Sequence, residues 1–432
     1  MGELTQLVPF EMVDAVLAST RRVQVRVRDL PSRVVVYLLL AGALFAGLGY
    51  RQVWARLVAG LHGVPVAFPG SSALAKARAR VGVAPLRELF ELLAGPAAAA
   101  ARWRGMLVCA IDGTSMFVAD SPANLAAYGH QTGSHGGSGY PMVRLLAVVA
   151  CGTRTLIDVV FGPYRIGETS YAPSLMGRLR PGMLLLADRN FAVAALAEQI
   201  HATGAALLIR CKNGRQLPCA GRLADGSWLA MFGTVPIRVI DADIVVTLGG
   251  RVEQARYRLL TTLTDPRRFP ALDLVQLYHQ RWEIETTYLQ LKATMLGGRV
   301  LRARTPQGIT QEVYALLTAY QALRLTMADA TASQPGLNTH RASFTVALHA
   351  ARDQVIHAAG VIAAATIDLV GAIGQAVLAD LQPPRRPRRS PRVVKRAISK
   401  HRAKGDIDRT NHNTTIRIKI LWPDQLTAGT EP

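Results

Sequence analysis

Three acidic residues of this chain stand at positions where proteins commonly place reactive groups. Asp112 ends the apolar run MLVCAI and Asp188 ends the run LLLA, so we predict both at the ends of strands, beside a turn. Glu285 lies in YHQRWEIETTYLQLK, residues 278–292, whose composition predicts a helix. One such aspartate alone is explained well enough as a turn former or a helix cap. Two of them, together with a glutamate on a polar helix, favour a joint catalytic role.

Three carboxylates suit the cleavage of a phosphodiester bond. This reaction needs an attacking water or hydroxyl and a stabilised leaving oxygen, and two Mg²⁺ ions about 3.5–4 Å apart serve both needs. Mg²⁺ prefers oxygen ligands, chiefly carboxylates and the substrate phosphate. Asp112, Asp188 and Glu285 would be able to bridge and flank such an ion pair, and basic residues around them would hold the polyanion.

The predicted helix around Glu285 carries a polar stripe beside an apolar one. At about 100° per residue, four polar residues fall within about 60° of one another: Tyr278, Arg281, Glu285 and Lys292. Glu283 falls on the far side and is predicted to be solvated. The polar stripe is long enough to follow several phosphates of a DNA strand. A solvated face with an Arg281–Glu285 ion pair at i, i+4 explains the same spacing.

The elements that must position these residues indicate an α/β body. Several short apolar runs of strand type occur in residues 106–211, separated by helices and glycine-rich turns. Residues 212–255 alternate polar and apolar positions with many glycines, as a small β-rich insertion would. Residues 1–100 are predicted to be helical, and long helical stretches are predicted at about 306–331 and 342–381.

The chain is strongly basic. Its 432 residues include 50 Lys and Arg against 29 Asp and Glu, which gives a net charge of +21. Ten of the basic residues lie in the Pro- and Arg-rich stretch 385–404, which is predicted to be disordered when unbound. Basic charge on both the body and the tail indicates a polyanionic partner, most often nucleic acid, with an acidic membrane surface as the rival.

One segment approaches the length of a membrane span. VVVYLLLAGALFAGLGY, residues 34–50, holds 17 uncharged residues. An amphipathic stretch, RQVWARLVAGL, follows it, and the chain has no second segment of this kind, so a buried helical hairpin is favoured. The four cysteines show no CxxC pairing and are predicted to be reduced thiols of a cytosolic protein.

The carboxylate motifs carry a family resemblance. AIDGT at Asp112, LLLADRNF at Asp188 and the spacing Y-x2-R-x3-E-x6-K from Tyr278 to Lys292 resemble the DDE transposases of the insertion sequence 4 family. Three flanking stretches also look like that family: TTLTDP (261–266), LRARTPQGITQE (301–312) and ALAKARARVGVAPLRELF (73–90). The likeness spans nearly all of residues 1–350, and the tail matches less well.

The resemblance implies a ribonuclease H-like catalytic core, an α/β fold with the β-rich insertion, at about 212–255, between the second aspartate and the glutamate. It predicts these divisions: a helical N-terminal DNA-binding domain (1–100), a DDE catalytic domain (101–335), C-terminal helices (336–381) and a basic tail (382–432) that is predicted to be disordered. Asp112, Asp188 and Glu285 would be the catalytic residues and the ligands of two Mg²⁺ ions, for which Mn²⁺ can substitute.

The resemblance also implies DNA contacts for five residues. Tyr278 and Arg281 would hold the DNA backbone near a distorted or flipped base. Lys292 would hold the strand near the scissile phosphate. Arg189, beside Asp188, would be a further phosphate contact, and Trp228 in GSWLAMF is the candidate for stacking on the flipped base.

The function implied is DNA transposition. The protein would bind the inverted ends of its own element as a homodimer, hydrolyse the element's 3′ ends, and join the 3′ hydroxyls to double-stranded target DNA in the cytoplasm of a bacterium. Two alternatives remain open at this point. One is a non-catalytic DNA-binding protein derived from such an enzyme, and the other is a membrane-associated protein built on residues 34–50.

Overall fold

The structure, a computed structural model, describes residues 4–24, 26, 29–61, 65–98, 100, 102–133, 136–248, 251–357, 371–384, 388–389 and 412–423. In this part the helices are α1 (Leu4–Leu7), α2 (Phe10–Ser19), α3 (Ser32–Leu44), α4 (Tyr50–Val58), α5 (Ser71–Val81), α6 (Ala84–Leu93), α7 (Pro122–Tyr128), α8 (Glu168–Tyr171), α9 (Pro173–Met176), α10 (Ala194–Ala202), α11 (Ala271–Tyr278), α12 (Trp282–Leu289), α13 (Pro306–Ala332), α14 (Phe344–Ile356) and α15 (Gly371–Ala379). The strands are β1 (Arg102–Trp103), β2 (Met106–Phe117), β3 (His130–Gly133), β4 (Gly136–Ala150), β5 (Leu156–Pro163), β6 (Met183–Ala187), β7 (Ala206–Cys211), β8 (Gly221–Arg222), β9 (Trp228–Phe232), β10 (Val235–Leu248), β11 (Arg251–Thr261), β12 (Arg388–Arg389) and β13 (His412–Ile420). Short 3₁₀ segments occur at Arg189–Phe191, His279–Arg281 and Thr339–Arg341, and a π-helical segment at Gln290–Met295.

The described strands form one mixed sheet whose central order is β5-β4-β2-β6-β7. Strand β4 is antiparallel to both β2 and β5, whereas β6 is parallel to both β2 and β7. Strands β2, β4 and β5 are antiparallel neighbours, and β6 and β7 follow in parallel on the other side of β2. This is the arrangement of a ribonuclease H-like core. The predicted fold class, a ribonuclease H-like α/β core preceded by helices, is therefore confirmed.

Apolar residues cover both faces of this sheet. Val108 and Ala110 of β2 belong to a hydrophobic cluster that also contains the N-terminal helices and α13. Leu107 and Cys109 belong to a second cluster, with residues of α9 and α10. Successive residues of a strand point to opposite faces of the sheet. Asp112 therefore points to the same face as Val108 and Ala110, the face covered by the first cluster.

The N-terminal helices pack directly on the rest of the molecule. Helix α3 is almost entirely buried and lies against α13, which explains why residues 34–50 are so apolar. Gly82, with a φ of +70°, forms the turn between α5 and α6. Within the described part of the chain, no helix is long and apolar enough to cross a membrane.

The β-rich insertion extends the sheet beyond β7. Strand β11 pairs with β7, β10 pairs with β11, and β13 from the basic tail pairs with the outer side of β10. The expectation of disorder is therefore wrong for residues 412–420. Their alternation of apolar and polar residues, with Ile418 and Ile420 packed against the first cluster, suits a strand. Most of the basic stretch 385–404 lies outside the described residues.

The segment 278–292 is not one regular helix. Helix α11 ends at Tyr278, a 3₁₀ turn covers His279–Arg281, α12 follows, and Gln290–Met295 is π-helical. Each change of helix type changes the angle per residue. A helical projection at a constant angle of about 100° per residue therefore gives wrong directions for side chains along this segment. The side chains of Tyr278 and Glu283 are affected.

Candidate active site

The two aspartates lie at one level on neighbouring strands. Strands β2 and β6 pair up to Ala110 and Leu186, and Asp112 and Asp188 each follow two residues later. Asp188 comes directly after β6, as predicted, and its Oδ1 accepts a hydrogen bond from the backbone N–H of Asn190 at 2.8 Å. Asp112 was predicted at a strand end, which is wrong. Because the long strand β4 continues beside β2, β2 runs on to Phe117.

Arg281 joins the first aspartate to the glutamate. Its Nη1 lies 3.0 Å from Asp112 Oδ2 and its Nη2 lies 3.3 Å from Glu285 Oε1. Burial raises the pKa of Asp112 to about 6, while a hydrogen bond from Gly113 and the Arg281 charge act to lower it. A carboxylate in such surroundings needs a cation beside it to stay ionised at low cost, and here Arg281 supplies the charge.

The carboxylates do not yet form a metal-binding cluster. Among the described residues, no three His, Cys, Asp or Glu side chains stand close enough to hold a metal ion. The chemistry of the donor set nevertheless fits Mg²⁺, since all three are carboxylates and two of them already share a cation. The Glu285 side chain is 32% exposed and pairs with Arg281, which also pairs with Asp112.

Lys292 lies on the same side of the sheet. Its Nζ donates to Thr114 Oγ1 at 3.2 Å, and Thr114 is two residues beyond Asp112 on β2. Burial lowers the pKa of Lys292. The π-helical turn at Gln290–Met295 carries this lysine over β2, two residues from Asp112 along the strand. That Lys292 holds the strand near the scissile phosphate stays a prediction.

Tyr278 lies beneath the site rather than on its surface. Its ring is buried, with 6% exposure, and its hydroxyl donates to the carbonyl oxygen of Ala187 at 3.1 Å. It therefore supports the residue that precedes Asp188. The predicted contact between Tyr278 and the DNA backbone does not fit this position, because the helix turns Tyr278 into the core before the 3₁₀ segment begins.

Glu283 is buried, which overturns the prediction that it is solvated. Its Oε2 lies 2.5 Å from Arg154 Nε and 3.5 Å from His340 Nδ1. Arg154 is in the turn between β4 and β5 and His340 precedes α14. Arg154 precedes Glu283 by 129 residues and His340 follows it by 57. Helix periodicity alone therefore did not reveal either contact.

The tryptophan predicted to stack on DNA is also buried. Trp228 is 5% exposed within the second hydrophobic cluster, because its position on β9 points inward. Trp282, which immediately follows Arg281, is 47% exposed. The Arg281 guanidinium lies 5.6 Å from the centre of its ring. Trp282 is thus an aromatic surface next to the carboxylates that the sequence analysis did not single out.

Two basic residues and one acidic residue complete the surroundings. Arg189 is exposed beside Asp188. Its side chain is therefore accessible to a phosphate, the contact predicted for it. Arg210 follows Ile209, which pairs with Ala187, so it lies level with Asp188. Its guanidinium is 3.9 Å from the ring centre of Tyr257, and its Nε has no hydrogen-bond partner among the described residues. Glu168 approaches Asp188 through Asn190.

Sequence reasoning missed Arg210 and Glu168. Arg210 had a usable signal, because polar residues at the carboxyl ends of neighbouring parallel strands meet at one edge of an α/β sheet. Glu168 had none, since it begins a helix of four residues whose docking depends on tertiary packing.

Comparison with known proteins gives the class and the family. Residues 103–322 match the family model described as Transposase DDE domain, and residues 1–91 match the model described as Insertion element 4 transposase N-terminal. The fold, the carboxylates and the first match define a DDE transposase, an enzyme that acts on DNA and whose class uses a divalent metal ion. With both matches in place, the chain belongs to the insertion sequence 4 family of these transposases.

The chain is similar to one curated transposase and to one solved structure over most of its length. The chain is 28% identical over 404 residues to Transposase InsG for insertion sequence element IS4 of Escherichia coli strain K12, covering 89% of this chain and 90% of that protein. A cryo-EM structure of the piggyBac transposase synaptic complex with hairpin DNA is similar with a TM-score of 0.45 and 11% identity, covering 89% of this chain and 86% of that chain.

Proposed function

We propose that this transposase works by a cut-and-paste mechanism. It would bind the inverted ends of its element, hydrolyse the DNA at the 3′ ends, free the element, and join the 3′ hydroxyls to target DNA. The observation that carries this proposal is that Arg281 bridges Asp112 and Glu285. Asp188 follows the neighbouring strand at the level of Asp112, and Lys292 bonds Thr114, two residues beyond Asp112. Metal-assisted phosphoryl transfer needs carboxylates and phosphate-binding cations in one place.

Asp112, Asp188 and Glu285 are the residues that would hold two Mg²⁺ ions, with Mn²⁺ as a substitute. The bound ions would activate the attacking water or hydroxyl and stabilise the leaving oxygen. Arg281 now neutralises Asp112 and Glu285. It would leave them for a DNA phosphate when the carboxylates take up Mg²⁺, because a guanidinium binds phosphate as well as carboxylate.

Basic residues around the carboxylates would hold the DNA. Lys292 would orient the strand near the scissile phosphate from its place above Thr114. Arg189 follows Asp188 in the chain and is exposed, and Arg210 lies level with Asp188 on β7 and is half-buried. Both would bind phosphates near Asp188. Tyr278 would act indirectly by supporting the end of β6.

The N-terminal helices and the basic tail would supply further DNA affinity. A cavity of about 330 Å³ beside α2 and α5 is lined by four arginines together with Val23, Gln24 and Ser32: Arg21, Arg22, Arg26 and Arg80. Such a concentration of positive charge suits phosphates. The tail would contribute through residues 385–404. A homodimer would bring the two ends of the element together.

The order of products tests this function. With DNA that carries the element's ends, Mg²⁺ and a target plasmid, wild-type protein is expected to give nicked, then excised, then joined DNA. Arg281→Ala is expected to slow the later steps more than first nicking, because it removes a charge-assisted phosphate contact. A time course of labelled products measures both. Binding of the ends without cleavage in Mg²⁺ or Mn²⁺ would instead favour a non-catalytic DNA-binding protein.

Trp282 is the tryptophan that we expect to stack on an exposed base. Stacking of one base on an aromatic ring is worth about 1–3 kcal/mol. Trp282→Ala is therefore expected to weaken binding of ends with an unpaired base by that amount, while Trp282→Phe retains most of it. Fluorescence anisotropy with gapped and fully paired DNA measures the difference.

Trp228→Ala provides the comparison for this experiment. Because Trp228 is buried, its removal is expected to lower stability and to leave no selective loss for unpaired DNA. If Trp228→Ala, and not Trp282→Ala, selectively weakens binding to gapped ends, the assignment of Trp282 is wrong.

A further inference from the structure

Glu168 connects the turn after Asp188 with β2 near Asp112, beyond the point where the pairing of β2 with β6 ends. Its Oε2 accepts a hydrogen bond from Asn190 Nδ2 at 2.9 Å, and its Oε1 lies 3.8 Å from Arg144 Nη1. Asn190 in turn donates its backbone N–H to Asp188 at 2.8 Å. The Glu168 carboxylate thus holds the turn that follows Asp188.

The same side chain also packs against β2 beside Asp112. A Cβ added at Gly113 would meet three atoms of Glu168, the nearest being Oε1, at less than 3.0 Å, and no other atom of the structure comes as near. Glu168 therefore occupies the space that a side chain at position 113 would need. Gly113, directly after Asp112, is the residue type that leaves room for it.

Glu168 lies where strands β2 and β6 are no longer paired. The hydrogen-bonded pairing of β2 with β6 ends at Ala110 and Leu186, before the level of Asp112 and Asp188. Backbone hydrogen bonds consequently do not fix the spacing of the two aspartates. The chain of contacts from Gly113 through Glu168 and Asn190 to Asp188 spans this gap.

We propose that Glu168 is a positioning residue that sets the distance between Asp112 and Asp188. This inference rests on the proposed catalytic role of the two aspartates. Glu168 acts through the hydrogen bond that it accepts from Asn190 and through its packing on Gly113. Arg144 holds the carboxylate from the other side. The charge of Glu168 is not what the site requires, so an amide oxygen in the same place can do the same work.

The first test compares Glu168→Ala with Glu168→Gln. The rate of first nicking at saturating end DNA is expected to fall about a hundredfold in Glu168→Ala, as an error near 1 Å in a catalytic group can cost that much, with unchanged affinity for the ends. Glu168→Gln is expected to recover most of the rate, because its Oε1 can still accept from Asn190. Ser170→Ala, exposed on the same helix, is the control.

Double variants test whether Glu168 acts through its contacts with Asn190 and Gly113. Asn190→Ala, at an exposed position, is expected to slow nicking, and the Glu168→Ala, Asn190→Ala pair should be no slower than Glu168→Ala alone. Gly113→Ala is expected to slow nicking by displacing Glu168 and to cost little more in the Glu168→Ala background. These comparisons separate positioning from a general loss of stability, which urea unfolding of each variant monitors.

A second readout does not depend on cleavage. Binding of Mn²⁺ by the protein without DNA, followed by electron paramagnetic resonance, is expected to weaken in Glu168→Ala by about 10–100-fold, the usual effect of removing a group that orients metal ligands. Glu168→Gln is expected to bind Mn²⁺ nearly as the wild type does.

Three outcomes would overturn the inference: wild-type nicking by Glu168→Ala, additive losses in the Glu168→Ala, Asn190→Ala pair, or a Glu168→Gln variant as slow as Glu168→Ala. The last would mean that the carboxylate charge itself acts. Asp188→Ala in the same assay distinguishes a failure of the proposed active site from a failure of the role of Glu168 alone. If Asp188→Ala nicks normally, the proposed site fails; if it is inactive while Glu168→Ala is normal, only this inference fails.

Discussion

Replacement of Glu283 by alanine is expected to lower the free energy of unfolding by about 3–5 kcal/mol, the usual cost of removing one partner from a buried ion pair. Arg154, 4% exposed, would keep its charge without the carboxylate that now faces it. Arg154 also has a φ of +60°, and its backbone carbonyl accepts a hydrogen bond from Tyr320 at 3.0 Å. The ion pair ties the β4–β5 turn to α12, and the hydrogen bond from Tyr320 ties the same turn to α13.

Urea unfolding followed by circular dichroism measures this loss. Asp14→Ala is a matched control, because Asp14 pairs with Arg33 on the surface, where both side chains are more than 40% exposed and such pairs contribute about 0–1 kcal/mol. Replacing both Glu283 and Arg154 by apolar residues should cost less than the sum of the single changes. A Glu283→Ala variant as stable as the wild type would contradict the buried ion pair.

Glu285 should behave in the opposite way. It is only two residues from Glu283, but its side chain is 32% exposed and faces the aspartates. Its replacement is therefore expected to leave stability nearly unchanged and to abolish cleavage. This contrast separates a carboxylate that holds the fold together from one that serves the chemistry.

The parts of the site that are encoded locally could be predicted from the sequence. Asp188 follows an apolar run that forms a short buried strand, and the run before Asp112 forms the first half of β2. The spacing of Arg281, Glu285 and Lys292 identified the helix that faces them. These signals lie within a few residues of each group, so apolar runs and residue spacing were sufficient.

Side chains whose environment is set by distant residues were predicted wrongly. Tyr278 and Glu283 both lie in the segment Ala271–Met295, which changes from α to 3₁₀ to α to π within 25 residues. Glu283 is buried because Arg154 and His340 meet it there. No periodicity in the sequence reports contacts of this kind.

The remaining surprises come from tertiary pairing. Strand β13 was hidden by the Pro- and Arg-rich composition that precedes it, although Ile416, Ile418 and Ile420 alternate as a strand requires. Its pairing with β10 also affects experiments on the tail. Deleting 382–432 would uncover an edge strand, so the basic stretch is better tested by neutral substitutions within 385–404.

Loss of any one of the three carboxylates is expected to reduce strand cleavage at least about a thousandfold, since metal-ion stabilisation of the transition state is worth several kcal/mol. Binding of the element ends should remain, because it would rest chiefly on the N-terminal arginines and other basic surfaces. Asp112→Ala, Asp188→Ala and Glu285→Ala should therefore share one phenotype, with intact DNA complexes and no products.

The most direct measurement is cleavage of end-labelled DNA carrying the element ends, with and without Mg²⁺, by the wild type and by Asp188→Ala at protein concentrations that saturate binding. We predict a Mg²⁺-dependent nick that leaves a 3′ hydroxyl at the element end in the wild type, and uncut DNA in an intact complex with Asp188→Ala. Cleavage by Asp188→Ala at a rate near that of the wild type would contradict the proposed active site, because Asp188 would then lie outside it.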